Sequence, residues 1–291
     1  MNSAGAGGCD PASAGLAVQW ARAGCDAAGG GVRHTGDFKS CGVPDVISIS
    51  IVSHLQGGLV QSLLDDLAAC VAPDRIEVIL TVNASESLPF AATDFRFPLR
   101  IILNEAPKGF GANHNAAARA AAGEYFCVLN PDIRLTADPF PALISGLSDI
   151  SVGVASPLVV GTEGQIEDSA RHFPTPFSIA RKLFTCARRP DYAIGTAVIY
   201  PDWIAGMFML WRAETFRKIG GFDEGFFLYY EDVDICARLR RTGFRVLLVP
   251  AVQVTHYAQR ASHRSLRYLR WHLTSMLRFL LTPSRRLPPL R

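Results

Sequence analysis

The chain has 291 residues, a formal net charge of +3, 49% hydrophobic residues and only 19% charged residues. This composition predicts a folded protein with a sizeable core and excludes an intrinsically disordered chain. The charge is unevenly distributed, because no Asp or Glu follows Asp234 whereas Arg recurs from Arg238 to Arg291. A cationic C-terminal part indicates an anionic surface or ligand as partner.

The seven cysteines form no CxxC pair and no Cys/His spacing typical of a metal site. Their odd number and scattered positions argue against a zinc ribbon or a disulfide framework and favour buried thiols in a reducing compartment. No segment reaches the roughly 18 apolar residues of a membrane-spanning helix. The N-terminus also lacks the basic start and apolar core of a secretory signal. We therefore expect a cytoplasmic protein.

The first part of the chain predicts an α/β domain behind a disordered extension. Residues 1–43 are rich in Gly, Ala and Ser and show no sustained periodicity. Val46–His54 is an apolar, β-branched run typical of a buried parallel strand. Helices are predicted at 59–69 and 111–123, and further strands at 76–83, 99–104 and 125–130. Strands that alternate with helices indicate a mostly parallel sheet flanked by helices.

The second part continues the pattern and ends in a basic helix. Strands are predicted at 152–160, 202–212 and 244–257, a loop-rich section at 167–195, and helices at 213–220 and from 231 to Gly243. Residues 263–281 form an amphipathic helix with an apolar stripe, which consists of Leu266, Leu269, Leu273, Met276, Leu277 and Leu280. The stripe either lies in an anionic membrane surface or packs on the protein's own sheet. We predict an extension (1–43), a catalytic domain (44–260) and a C-terminal helix with a tail (261–291).

The motif Asn130-Pro131-Asp132 directly follows the strand at 125–130. Ligands of open α/β sheets bind beyond the C-terminal ends of the strands. A carboxylate fixed there suits Mg²⁺ or Mn²⁺, which commonly takes one or two protein carboxylates together with substrate phosphate. The alternative is that Asp132 only closes a Pro-Asp turn.

Two further motifs have both a functional and a structural interpretation. In "KGFGANHN" the glycines and the start of a helix suit a phosphate group, but a tight turn explains them equally well. Glu231, Asp232 and Asp234 follow the aromatic run "FFLYY" and start a helix, where the free N–H groups stabilise carboxylates. One of them can act as a general base, or all three can cap the helix with Arg238 or Arg241 as ion-pair partner.

The order of these motifs is distinctive. "SISIVSH", "KGFGANHNAA", "VLNPDIRL", "DWIAGMFMLWR", "GGFDEGFFLYYEDVDICARLRRTGFRV" and "VTHYAQRAS" follow one another along the chain. Together they resemble the successive motifs of a family 2 glycosyltransferase of the GT-A fold, and most of all the bacterial rhamnosyltransferase-like group. The resemblance covers about Val46 to Leu281.

The resemblance implies specific roles for residues that match the family motifs. Asp132 and His256 would bind Mg²⁺ or Mn²⁺, Asp232 would be the catalytic base, and Glu231 would contact the acceptor or orient Asp232. The nucleotide sugar would bind Ser53, His54, Asn83, Lys108, Gly109, Gly111, Asn113, Asn130 and Asp132. The acceptor would bind Trp203, Gly206, Met207 and Glu231.

The chain departs from the family pattern in two places. Asn130 replaces the first acid of the family's Asp-x-Asp motif, and Val82 stands where relatives carry an acid that contacts the base, which leaves Asn83 or Glu86 as substitutes. No Q-x-x-R-W processivity motif occurs, so we expect transfer of a single sugar. The resemblance implies inverting transfer of L-rhamnose from dTDP-rhamnose to a glycan or polyprenyl-linked acceptor, at the inner face of the plasma membrane.

Two other functions remain open at the level of sequence. A nucleotidyltransferase also uses a carboxylate and a metal at a sheet edge, but the stretch "SHLQGGLVQS" lacks the basic residues of a triphosphate-binding loop. A non-catalytic nucleotide-sugar-binding protein is the second alternative. Nucleic acid is not an expected partner, because the basic residues coincide with the apolar stripe and no nucleic-acid motif occurs.

Overall fold

The computed structural model describes residues 45–179, 190–257 and 266–282. The strands are β1 (Ile47–Ser53), β2 (Ile76–Val82), β3 (Leu99–Leu103), β4 (Tyr125–Leu129), β5 (Ile133–Arg134), β6 (Val152–Gly161), β7 (Ala170–Arg171), β8 (Trp203–Ile204), β9 (Phe208–Arg212) and β10 (Arg245–His256). The principal helices are α1 (Gly57–Cys70), α2 (Phe110–Ala120), α3 (Phe140–Leu147), α4 (Ala213–Lys218), α5 (Glu231–Arg241) and α6 (Leu266–Leu280). The predicted extension 1–43 and the predicted domain boundary at residue 260 lie outside the described residues.

Eight strands form one sheet in the order β3-β2-β1-β4-β9-β6-β10-β5. β1 pairs in parallel with β2 and β4, β2 with β3, and β6 with β10. β9 runs antiparallel to both of its neighbours, and β5 runs antiparallel to β10. The predicted α/β fold with a mostly parallel sheet is therefore confirmed.

Helices cover both faces of the sheet, which explains why nearly every residue of the central strands β1 and β4 is buried. Ile47, Ile49 and Ile51 of β1 belong to one buried core that includes three leucines of α1, namely Leu63, Leu64 and Leu67. On the other face, the Ser50 hydroxyl is 2.7 Å from Nδ1 of His114 on α2, and both side chains are fully buried. These contacts fix α2 against the sheet, so that its N-terminus lies near the ends of β1 and β4.

The segment 202–212, predicted as one strand, is two strands separated by Ala205, Gly206 and Met207. The N–H of Gly206 donates to the carboxylate of Asp232 (3.1 Å), and the carbonyl of Met207 accepts the N–H of Asn130 (2.9 Å). The Asn130–Met207 bond extends the pairing of β4 with β9 by one residue, whereas the Gly206 N–H binds a side chain instead of a neighbouring strand. The prediction of a continuous strand was wrong at this point.

β10 delivers His256 to the site. Its pairing with β6 shifts register between Val249 and Gln253, a stretch that contains Pro250. Proline has no N–H to give to the ladder, so a break in pairing there is expected. Beyond the break, His256 pairs with Ile133 of β5, the residue that follows Asp132.

The apolar stripe of α6 does not pack on the sheet. Leu266, Leu269, Leu273 and Leu277 are 84%, 54%, 44% and 53% exposed, whereas Ser275 and Phe279 on another face are buried. Leu280 packs in part against the core. The interpretation that the leucines cover the protein's own sheet is therefore wrong for most of the stripe. None of the helices in the described ranges is long and apolar enough to cross a bilayer.

Candidate active site

A cavity of about 560 Å³ lies beyond the C-terminal ends of the parallel strands. Its lining includes six residues predicted to bind the nucleotide sugar, namely His54, Asn83, Lys108, Asn113, Asn130 and Asp132. Arg267, Tyr268 and Trp271 of α6 line the same cavity, together with Phe227. The sequence prediction gave no cavity role to α6.

Asn83 holds the loop that follows β3. Its Oδ1 accepts the N–H of Lys108 (2.8 Å) and the side-chain amide of Asn104 (2.9 Å), and its Nδ2 donates to the Lys108 carbonyl (3.0 Å). The Asn104 amide also donates to Oδ1 of Asn113 (2.7 Å). Most of the hydrogen-bonding capacity of Asn83 is thus used to shape the cavity wall.

Ser53 and Glu86 secure the turn between β1 and α1. Glu86 accepts hydrogen bonds from the Ser53 hydroxyl (2.5 Å), from the Leu55 N–H (3.0 Å) and from the Gly57 N–H (2.9 Å). Ser53 is fully buried. The side chains of Ser53 and Glu86 therefore stabilise the turn, whereas His54, the residue after Ser53, lines the cavity.

Gly109 and Gly111 permit close packing against the protein itself. A Cβ on Gly111 would lie 2.6 Å from Cβ of Phe222, and one on Gly109 would lie 2.8 Å from the Phe227 carbonyl oxygen. The Phe110 N–H, one of the first of α2, already donates to the Phe227 carbonyl (2.9 Å). The close approach that these glycines allow is to the segment 222–227, which explains them without a bound phosphate.

Asp132 and His256 meet at the edge of the cavity. Nε2 of His256 is 3.2 Å from Oδ2 of Asp132, and Nδ1 of His256 is 2.7 Å from Oε2 of Glu167. Burial lowers the pKa of His256, but the hydrogen bonds that its ring donates to both carboxylates, together with their negative charges, outweigh burial and raise the pKa from 6.5 to about 9. Oδ1 of Asp132 is buried and has no hydrogen-bond partner among the described residues.

These atoms suit a divalent cation. Oδ1 of Asp132 has no partner among the described residues, and Nε2 of His256 becomes a ligand once a cation displaces its proton, so the two groups form a donor set that Mg²⁺ or Mn²⁺ can use together with substrate oxygens. Glu167 holds the other imidazole nitrogen, as carboxylates that orient metal-binding histidines do. Within the described ranges, no group of three or more His, Cys, Asp or Glu side chains is arranged to hold a metal by itself. The site therefore fits a cation that also binds the substrate.

The three acids at the start of α5 have different environments. Asp234 is fully buried and its Oδ2 accepts from Nε of Arg238 (2.8 Å). Arg238 also donates to the carbonyls of Ile219 and Gly221 (both 2.6 Å). Asp234 is thus a structural acid, and the ion-pair interpretation is correct for this member of the cluster.

Asp232 is held by two backbone N–H groups. Its Oδ2 accepts from Gly206 (3.1 Å) and its Oδ1 from Val233 (2.8 Å). Burial raises the pKa of Asp232, although these hydrogen bonds and the charge of Arg171 oppose the shift. Gly206 precedes Met207, whose carbonyl accepts the Asn130 N–H. Two hydrogen bonds and the Gly206–Met207 backbone therefore connect Asp232 to the turn that contains Asp132.

Glu231 is buried, and its Oε2 has no hydrogen-bond partner among the described residues. Burial and the charge of Asp232 raise the pKa of Glu231 well above its ordinary value. Directly before it, Tyr229 and Tyr230 have φ angles of 69° and 67°. Two consecutive left-handed residues that are not glycine cost about 1–3 kcal/mol each, and such strain is typical of functional sites.

The remaining predicted acceptor residues surround Gly206. Trp203 is buried, and its indole N–H donates to the His172 carbonyl (3.0 Å). The guanidinium of Arg171 lies 5.5 Å from the Trp203 ring centroid. Sequence reasoning missed both Arg171 and Glu167, which lie in the section predicted as loop-rich. No local pattern distinguishes them there from other charged residues.

Comparisons with known proteins agree with this geometry. Residues 48–211, more than half of the chain, match the model of glycosyl transferase family 2, and residues 192–264 match a model described as the N-terminal domain of galactosyltransferase. The chain is 31% identical to the rhamnosyltransferase WbbL of Escherichia coli, over 81% of this chain and 92% of that protein. It is 28% identical to the N-acetylglucosaminyl-diphospho-decaprenol L-rhamnosyltransferase of Mycobacterium tuberculosis, over 76% and 78%.

Solved structures are similar in fold. GalNAc-T7 with UDP, GalNAc and Mn²⁺ has a TM-score of 0.60 at 17% identity, over 79% of this chain and 47% of that one. The mannosyltransferase PcManGT of Pyrobaculum calidifontis with GDP-Man and Mn²⁺ has a TM-score of 0.56 at 18% identity, over 82% and 65%. These matches show the GT-A fold and no more. Together with the family model and the E. coli relative, they identify the chain as an enzyme that belongs to glycosyltransferase family 2, within its rhamnosyltransferase-like group.

Proposed function

We propose that the protein catalyses metal-dependent, inverting transfer of one sugar, L-rhamnose from dTDP-rhamnose, to a glycan or polyprenyl-linked acceptor in cell-surface polysaccharide synthesis. The observation that carries the proposal is the link between two acids. Asp132 lines the cavity two residues after Asn130, and Asn130 binds Met207, whose neighbour Gly206 binds Asp232. We propose that Asp132 serves the donor and that Asp232, connected to it through these hydrogen bonds, serves the acceptor.

The cavity suits a nucleotide sugar. Its volume of about 560 Å³ is in the range of small-molecule sites. Lys108 brings a positive charge, and Phe110, Phe227 and Trp271 bring aromatic surface. A divalent cation held by Asp132 and His256 would supply positive charge to a leaving diphosphate. The Mn²⁺ in two similar solved structures supports this choice, and either Mg²⁺ or Mn²⁺ fits the donor set.

Asp232 is the proposed general base. Its carboxylate takes the proton of an acceptor hydroxyl while the hydroxyl oxygen bonds to the anomeric carbon of the donor. The bond from that carbon to the diphosphate breaks at the same time, and its electron pair leaves with the nucleoside diphosphate. Attack opposite the leaving group inverts the anomeric centre. The raised pKa of Asp232 makes it a stronger base, which favours proton transfer near neutral pH.

The other proposed site residues support these two acids. Glu231 is buried, which favours a role in positioning Asp232 over direct contact with the acceptor. Gly206 allows close packing beside Asp232, since a Cβ there would lie 3.3 Å from the Phe110 ring and 3.7 Å from Cβ of Asp232. Trp203 and Met207 lie close to this glycine in the chain, and we propose that the three residues bind the acceptor near Asp232.

The relatives support a lipid-linked acceptor. The name of the mycobacterial relative gives a sugar diphospho-polyprenol as its acceptor and L-rhamnose as the sugar that it transfers. We extend both to this chain as parts of the proposal, with the cytoplasmic side of the plasma membrane as the place of reaction.

Transfer from purified nucleotide sugars tests the proposal directly. The protein is incubated with Mg²⁺, an N-acetylglucosaminyl-diphospho-polyprenol and each of a panel of nucleotide sugars. We expect dTDP release and a rhamnosylated lipid with inverted anomeric configuration only with dTDP-L-rhamnose. Transfer from a different nucleotide sugar would overturn the donor, and no transfer from any of them would overturn the function. A donor that binds also raises the unfolding temperature by mass action.

A further inference from the structure

Helix α6 is fixed to the protein by one face. The ring of Trp271 lies 4.7 Å from that of Phe227, and the ring of His272 lies 5.3 Å from that of Tyr229. The hydroxyl of Ser275 donates to the Leu228 carbonyl (2.9 Å). These contacts seat the helix on the aromatic segment that precedes the catalytic acids.

A different face of α6 presents a row of leucines. Leu266, Leu269, Leu273 and Leu277 follow one another at intervals of three and four residues, which places them on one side of a helix. All four are at least 44% exposed. A contiguous apolar row in water marks an interaction surface, whereas a single exposed apolar residue such as Ile150 needs no such explanation.

The charge around the leucine row identifies its partner. α6 carries no acid, and its Arg267 and Arg270 are exposed, whereas Arg278 is paired with Asp223 (3.1 Å). Cations beside an apolar helix face are attracted to anionic lipid headgroups while the leucines enter the acyl boundary. In a second copy of the chain the same arginines would meet each other and repel. An anionic bilayer therefore fits this surface better than self-association does.

The same helix is a wall of the donor cavity. Arg267, Tyr268 and Trp271 line the cavity that contains Asp132. If the leucine face of α6 lies in the lipid surface, the cavity on the opposite face of the helix would open at the level of the lipid headgroups. A substrate carried on a lipid anchor would then meet the site without leaving the bilayer.

We propose that α6 has two functions: its leucine face docks on an anionic bilayer, and its opposite face forms part of the donor site. The identity of the cavity's ligand rests on the proposed glycosyl transfer, whereas the lipid contact does not.

The first experiment measures co-sedimentation of the full chain with vesicles. The wild type is expected to bind phosphatidylglycerol-containing vesicles and to bind pure phosphatidylcholine only weakly. Leu273→Glu should weaken this binding by about tenfold or more, because the leucine loses its burial in lipid. Ile150→Glu is the matched control, since it places the same charge at an 83% exposed apolar residue just before β6, at the edge of the sheet opposite the cavity. It should bind as the wild type does.

The second experiment separates the two faces. Trp271→Ala should lower dTDP-rhamnose affinity severalfold, measured by calorimetry, and keep vesicle binding within about twofold because its ring faces Phe227. Leu273→Glu should leave dTDP-rhamnose affinity and transfer to a detergent-solubilised acceptor unchanged. Unfolding temperatures near the wild-type value show that the variants are folded.

Specific outcomes overturn the proposal. Equal binding of the wild type to both vesicle types, or wild-type binding by Leu273→Glu, removes the lipid surface. A dimer that Leu273→Glu dissociates, without any vesicle effect, assigns the leucine face to a second copy instead. Wild-type donor affinity in Trp271→Ala removes the cavity role. Absence of transfer with intact vesicle binding would instead count against the proposed function alone.

Discussion

The backbone N–H of Gly206 donates a 3.1 Å hydrogen bond to the carboxylate of Asp232. The Val233 N–H occupies the other carboxylate oxygen at 2.8 Å, so the direction of the acid is fixed from both sides. This arrangement depends on the break in the strand at residues 205–207. The two hydrogen bonds orient an acid at the start of a helix, close in the hydrogen-bond network to the Asn130–Asp132 turn.

Asp232→Asn should lower kcat by about 10²–10⁴-fold, the usual contribution of a general base. The amide cannot accept a proton at neutral pH, and it must turn its NH₂ toward one of the two backbone donors. The lost hydrogen bond should cost about 1 kcal/mol of stability. Steady-state kinetics and calorimetric donor binding measure the two effects, and donor affinity should stay near the wild-type value. Wild-type turnover by this variant would refute the base assignment.

Asp234→Asn is the matched control, two residues along the same helix. The change leaves Arg238 without its charged partner, and breaking such a buried pair should cost about 3 kcal/mol. Urea denaturation should therefore show a large loss of stability, while kcat per folded molecule stays close to that of the wild type. A loss of kcat as large as that of Asp232→Asn would show that the cluster acts as a unit.

Glu231→Gln should stabilise the protein at neutral and higher pH. The pKa of Glu231 is raised in the fold, so the native state retains a proton that the unfolded state releases above its ordinary pKa of about 4.5. Wild-type stability therefore falls as pH rises from that value toward the folded pKa. Gln has no carboxyl group to ionise, so its stability does not fall in this way. The difference in free energy of unfolding between Glu231→Gln and the wild type should therefore grow from pH 5 to pH 8. An advantage that is constant with pH would contradict the raised pKa.

Removal of metal should stop the reaction. EDTA is expected to abolish transfer, and Mg²⁺ or Mn²⁺ to restore it. Binding of Mn²⁺ in the presence of dTDP, followed by electron paramagnetic resonance, should be lost in Asp132→Ala. Glu167→Gln should weaken it by about 10–100-fold, because Glu167 orients the His256 ring. Glu163→Gln is the control, since Glu163 is exposed in the same loop. Full transfer in EDTA would remove Asp132 and His256 from a metal role.

The sequence predicted the sheet and part of the site because both follow from local pattern. The apolar runs predicted β1, β2 and β4, and parallel strands necessarily end at one edge. That rule alone brings His54, Asn83 and Asp132 to one cavity, as the structure has them. The helix-start position of the three acids was also a local property of the chain.

The remaining features depend on contacts between distant segments. Glu167 becomes part of the site only because β10 carries His256 beside it. The sequence pattern of "DWIAGMFMLWR" gives no sign that the Gly206 N–H will turn to Asp232. Helical spacing located the leucines of α6, but it does not tell which side of a helix meets the protein. In the structure, the side of α6 that contains Trp271 meets the protein, because Trp271 packs against Phe227.

The glycines at the start of α2 give the last prediction. Gly111→Ala should destabilise the protein by about 1–3 kcal/mol, since the new Cβ would lie 2.6 Å from Cβ of Phe222 in a packed core. Gly58→Ala in α1 is the control, because a Cβ there meets nothing within 4 Å and should stabilise by about 0.5–1 kcal/mol. Urea denaturation measures both. If Gly111→Ala unfolds like the wild type but binds dTDP-rhamnose more weakly, the glycine is there for the ligand after all. If Gly111 is needed for packing against Phe222, the variant should lose stability. Its affinity for dTDP-rhamnose should then fall only to the extent that α2 moves.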